Sequence, residues 1–187
     1  MEDEFIVREK KILSLLEHEI ADGEEMTTAV RHNAELLLAE KGYAPDDMQK
    51  GVRFDVILGQ EHARAQMDFV VLIEGRAAMV IKCAAGSLSS RERHVVAAAR
   101  VFGSSPVPIA VVMDPMDAVV LDGMSGRVVG EGYGAIPTRD QLRSMIAERE
   151  YKPLAPEKLE REKRVLLAFD AIQCCVPKGA DGKGVHI

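Results

Sequence analysis

Apolar positions along this chain change their period several times, and each change marks a predicted element. Phe5, Ile12, Leu13, Leu16 and Ile20 recur at helical spacing, which predicts an amphipathic helix over 4–21. Asp22, with Glu25 three residues on, reads as a capping box for a second helix through Met26, Val30, Ala34, Leu37 and Leu38. Gly42, after Lys41, supplies its left-handed stop. Three strands follow at about 52–58, 67–73 and 77–84, divided by Gly59-Gln60 and Glu74-Gly75. Ser89 and Glu92 form a second capping box, opening a helix through Val95, Val96, Ala99 and Phe102 that breaks at Gly103-Ser104-Ser105-Pro106. Val107 to Met113 is a continuous apolar run, the pattern of a strand buried on both faces. Residues 117–121 and 127–129 flank Asp122-Gly123-Met124-Ser125-Gly126 as a hairpin.

Thr138 and Gln141 cap a further helix to about Arg149, and Pro153-Leu154-Ala155-Pro156 is a short stiff linker. A last helix carries Leu159, Val165, Leu166, Phe169 and Ile172, and the Gly/Lys-rich tail from Pro177 reads as disordered. The chain therefore divides into an N-terminal helix (1–21), an α/β core (22–150) and a C-terminal helix with its tail (151–187).

Two charges interrupt the apolar strands, Asp68 early in one and Lys82 late in the next. In an antiparallel hairpin these positions share one end of the sheet, so both side chains face one site. A charge in such a run costs several kcal/mol (about 2–7 even for a neutral polar group) unless it is paired or wet. The bulk charge adds a second clue. Residues 1–25 carry nine acids and three bases, which accounts for the whole formal net charge of −6. Residues 76–100 hold Arg76, Lys82, Arg91, Arg93 and Arg100 against Glu92 alone. That basic segment surrounds the candidate site and suits an anionic ligand such as DNA or RNA. Three cysteines without a C-x-x-C spacing give neither a zinc site nor a disulfide framework, and the acidic start does not resemble a leader. No run approaches the ~18 apolar residues of a membrane span. A cytoplasmic protein without a membrane partner is the expectation.

The strand pair bearing Asp68 and Lys82, behind the helix end Lys41-Gly42-Tyr43, resembles the core of PD-(D/E)xK nucleases. Within that superfamily it resembles in particular the N-terminal nuclease domain of type I restriction enzyme R subunits, over roughly residues 24–130. It implies a restriction-endonuclease-like fold, a mixed sheet flanked by helices, here with extra helices at both ends. In that family the first strand supplies an Asp, and the second a Glu and a Lys two residues apart that reach the same face. Asp68 matches, whereas Lys82 stands where the Glu belongs and Ala84 where the Lys belongs.

Three readings stay open on the residues. The first is a degenerate, catalytically silent nuclease fold. Its Asp68–Lys82 ion pair is structural, no cofactor is expected, and Arg76, Arg91, Arg93 and Arg100 contact nucleic acid or a protein partner. The second is an active Mg²⁺-dependent endonuclease with a relocated acid, in which Asp68 binds metal, Glu92 replaces the missing Glu and Lys82 is the catalytic lysine. The third is an interaction or homo-oligomeric module without nucleic-acid binding. Glu35, Glu40, Asp55 and His94 read as surface residues. Ser87, Ser89 and Ser90 read as capping groups or, with the arginines, as a phosphate contact.

Overall fold

A computed structural model describes residues 26–149 and 151–174. The helix expected over 4–21, the Asp22/Glu25 cap and the tail beyond Cys174 lie outside the described residues. Within them the chain runs α1 (26–40), β1 (Met48–Leu58), β2 (Glu61–Ile73), β3 (Arg76–Cys83), α2 (Ser89–Val101), β4 (Ile109–Met113), β5 (Ala118–Asp122), β6 (Val128–Glu131), α3 (Arg139–Ala147) and α4 (Pro156–Cys174). The strands form one sheet in sequential order, β1-β2-β3-β4-β5-β6. All neighbours are antiparallel except β3 and β4, which are parallel and joined by the α2 crossover. This is the mixed α/β sheet that the sequence predicted.

The sheet separates two apolar layers. On one side Val30, Ala34 and Leu38 of α1 and Leu142 of α3 pack on Met79, Ile81, Ile109 and Val111. On the other, Val95, Val96 and Ala98 of α2 and Leu166 of α4 pack on Val80, Ala110 and Val112. All five residues of β4 are buried because it lies between both layers, which accounts for its unbroken apolar run. Each fully buried Val, Leu, Ile or Met contributes about 1.5–3 kcal/mol, so these layers are the main source of stability.

The long β1–β2 hairpin changes layers midway. Met48, Phe69, Val71 and Ile73 belong to the α1 side, whereas Val56, Ala63, Ala65 and Met67 belong to the α2 side. Phe69 and Met67 are two residues apart and should share a face. They do not, and Asp68 lies between them. On β1, Lys50 pairs with Phe69 and Val52 with Met67, and Gly51 between them takes φ +59°. A glycine in that left-handed region lets both strands swivel together. The result is a break in the sheet surface at Asp68.

Local signals held at two helix ends. Gly42 (φ +88°) closes α1, with its N–H donating to Ala39 O and the Tyr43 N–H to Leu38 O, a Schellman motif. Thr138 and Gln141 cap α3 reciprocally. At α2 the structure corrects the expectation. Leu88 is the N-cap residue without a side-chain cap bond, Ser90 Oγ donates to Ser87 O, and Ser87 and Ser89 bond each other. Glu92 takes no part in a capping box there. The hairpin strands also begin earlier than expected, at Met48 and Glu61, because Gln49-Lys50-Gly51 and the alternating polar and small residues of 61–66 carry little hydrophobic signal.

Candidate functional site

The β2–β3 ladder pairs Phe69 with Ile81 and Val70 with Val80, so its next step sets Asp68 opposite Lys82. There the strands diverge, and the Asp68 side chain fills the gap. Its Oδ2 accepts from the Cys83 backbone N–H at 2.8 Å and lies 3.5 Å from Lys82 Nζ. Its Oδ1 accepts from Arg31 Nε at 2.6 Å. The Asp68 carboxylate is fully buried, Lys82 is largely buried and Arg31 is half exposed. Lys82 Nζ also donates to Gln66 O at 3.3 Å. The predicted convergence of Asp68 and Lys82 is present, with Arg31 of α1 as a third member. One carboxylate therefore stands between two cations and caps a strand end.

Behind Lys82 lies a cavity of about 260 Å³ lined by Arg31, Arg64, Ala65, Gln66, Lys82, His94 and Leu166. His94 is buried, correcting the expectation of a surface histidine, and its ring packs on Phe169 of α4 with centroids 4.8 Å apart. Its Nδ1 is buried without a hydrogen-bond partner. Burial, followed by the neighbouring Lys82 and Arg91, pulls the His94 imidazole down to about 4 against the opposing effect of Asp68, so it is neutral at pH 7. Burial and the Asp68 carboxylate push the Cys83 thiol up to about 12.

The other sequence-predicted residues are dispersed. Arg100 is buried and bonds inward, from Nε to Gly123 O, from Nη2 to Met124 O and from Nη1 to Glu162 Oε1 at 2.8 Å. It does not belong to an exposed anion-binding face. Arg93 is half exposed and donates to the other oxygen of Glu162 at 2.5 Å. Arg76 is exposed and lies over the Tyr151 ring at 4.1 Å. Arg91 is half-buried and its charge helps lower the His94 pKa, but it does not line the cavity. Glu92 is half-buried in the first turn of α2, and among the described residues nothing bonds it to Asp68 or Lys82. Glu35 pairs with Lys50, and Asp55 with His62 and Arg64, all at the surface.

Sequence reasoning passed over Arg31, Gln66 and Glu162. Arg31 follows Val30 on the edge of the buried α1 stripe and carried no signal of its own. Glu162 did carry one, since Leu159, Glu162, Leu166 and Phe169 recur at helical spacing and put an acid in the stripe that faces the core. Arg93 and Arg100, two turns apart on α2, are its partners.

A helix, three strands, a helix and a strand around a mixed sheet, with an acid and a lysine meeting at one strand end, define a nuclease-like α/β class. The profile of the type I restriction enzyme R protein N terminus matches residues 27–137, more than half of the 187, and the chain belongs to that family. No curated protein and no solved structure matches the chain.

The family's chemistry implies Mg²⁺, a hard cation that needs several oxygen ligands. The donor set here does not fit it. Asp68 contributes one carboxylate, both of whose oxygens already accept from cationic or N–H groups. Among the described residues no group of three or more His, Cys, Asp or Glu side chains is placed to hold a metal ion. Two fixed cations within hydrogen-bonding or ion-pair reach of that carboxylate oppose a third.

Proposed function

We propose that this chain is a non-cleaving member of its family, which holds a nucleic-acid phosphate at the end of the sheet where the family's acid and lysine meet. The observation that carries this reading is the neutralisation of Asp68 by Arg31 and Lys82, beside a cavity whose polar lining is Arg31, Arg64, Gln66, Lys82 and His94. Hydrolysis at a metal-bound water needs carboxylates around the metal. This lining offers donors, and donors suit an oxyanion. After the Asp68 and Asp55 pairings are counted, the three cations leave a surplus of one positive charge, so binding is weak and tolerant of sequence. The same balance predicts salt sensitivity through counterion release, with about a ten- to fortyfold loss of affinity between 50 and 200 mM salt for two or three phosphate contacts.

The test combines cleavage and binding. Plasmid and single-stranded DNA are incubated with Mg²⁺ or Mn²⁺, and fluorescence anisotropy follows the binding of labelled strands at low salt. Intact DNA with salt-dependent binding is expected. Metal-dependent cleavage that vanishes in Asp68→Ala overturns the reading and restores the relocated-acid mechanism with Glu92. Absence of binding at low salt leaves an interaction or homo-oligomeric module.

A further inference from the structure

The cavity behind Lys82 has features that ion pairing alone does not explain. His94 is only 6% exposed, lines this cavity, and keeps a buried Nδ1 without a partner. A buried polar atom left unpaired costs about 1–3 kcal/mol, and native proteins keep few of them. Three different elements bring basic side chains to the same space: Arg31 from α1, Arg64 from β2 and Lys82 from β3. Gln66 adds an amide whose oxygen already accepts from Arg53 Nε, which leaves its NH₂ free to donate. On the remaining side Leu166 of α4 is an apolar wall, and Phe169 of the same helix stacks against His94.

We propose that this cavity is a pocket for a terminal phosphate monoester, in which Lys82, Arg31, Arg64 and Gln66 hold the phosphoryl oxygens and His94 supplies a ring N–H donor. The proposal rests on the nucleic-acid reading above only for the source of the monoester. Its chemistry is equally that of a free nucleotide.

Size and charge favour a monoester over a through-running diester. A volume of about 260 Å³ lies below the ~300–1,000 Å³ of drug-sized sites. At about 30 Å³ per water it holds a phosphoryl group with part of a sugar. A strand passing through needs two open ends, and α4 walls one side. A diester offers two charged oxygens with about one negative charge. A monoester at pH 7 offers three, with a charge of about −1.5 to −2, a better match to five donor side chains. A neutral imidazole keeps one N–H, which it can present to such an oxygen. The groups facing His94 are Lys82, Arg91 and Asp68, with Phe169 stacked beside it, so a bound dianion adds negative charge to a cationic surround.

The full chain is titrated at low salt with four probes: inorganic phosphate, a nucleoside 5′-monophosphate, and one short single strand carrying either a 5′-phosphate or a 5′-hydroxyl. The phosphorylated strand is expected to bind about tenfold tighter than its hydroxyl twin, a difference of ~1.4 kcal/mol. His94→Phe removes both ring nitrogens and relieves the orphaned atom, so it is expected to fold and to lose that preference. Arg64→Gln, at an exposed position, repeats the test should His94→Phe not fold. Equal binding of the two strands overturns the pocket and leaves the nucleic-acid reading standing. Binding of the nucleotide without either strand supports the pocket and refutes the nucleic-acid reading. A preference that survives in both variants, or no binding of any probe, overturns the pocket.

Discussion

Replacing Asp68 by alanine separates a structural carboxylate from a catalytic one, and the structure sets the size of the effect. Three things are lost together. The Cys83 N–H loses its acceptor at a buried strand end, which costs about 1–3 kcal/mol. Lys82, with 15% of its side chain exposed, loses its counter-charge, and breaking a buried pair typically costs ~3–5 kcal/mol. Arg31 loses its partner as well, but its side chain is 42% exposed and regains water, so its share is small. Because these losses overlap, the net expectation is about 3–5 kcal/mol, a large part of the ~5–15 kcal/mol of a typical domain. In urea, with m of about 2–3 kcal/mol/M, the midpoint falls by roughly 1.5 M with m unchanged. Asp68→Asn keeps a carbonyl for the Cys83 N–H and costs about half as much. A shift below ~1 kcal/mol for Asp68→Ala refutes this account. Outright stabilisation points instead to an acid held under strain for chemistry.

Four further outcomes follow from the same contacts. Glu162→Ala strands Arg100 in the interior and should cost about 3–5 kcal/mol by urea unfolding, whereas a change within ~0.5 kcal/mol means the Arg93–Glu162–Arg100 cluster is energetically idle. Gly123→Ala sets a Cβ 1.9 Å from Val107 O, and a loss of about 3 kcal/mol or no folded protein is expected. His94 titrates near 4 when folded and near 6.5 when unfolded. Between these values the unfolded chain binds more protons, so stability falls with pH from ~6.5 to ~4 by about 3 kcal/mol and levels off below. That slope should be absent in His94→Phe, and parallel curves for the two proteins rule it out. Native Cys83, buried with its thiol pushed up to about 12, should resist a thiol reagent at pH 8 until urea unfolds the chain; rapid modification of the native protein contradicts this.

The parts legible in the sequence were those written in local chemistry. Gly42 and the Thr138/Gln141 pair set helix boundaries, the run around Val111 marked the central strand, and the interruptions at Asp68 and Lys82 marked one end of the sheet. What escaped depended on elements far apart in the chain. Nothing near Arg31 announces that α1 brings it to β2, thirty-seven residues on. Arg93 and Arg100 read as ligand contacts and His94 as a surface residue, because an arginine-rich helix after a strand usually has an outer face. Here α4 packs on that face, where Glu162 pairs with the buried Arg100 and the half-exposed Arg93, and His94 lines a cavity. The layer switch at Gly51 was missed for a similar reason, since Lys50-Gly51-Val52 shows no break in alternation until its partner strand is seen.

The cover supplied by α4 has a practical consequence. The family match ends at residue 137, but the helix that holds Glu162 begins at Pro156. A fragment trimmed to the match would expose the apolar flank of α2 and leave Arg100 without the acid that balances it. The matched segment is thus smaller than the unit that packs together.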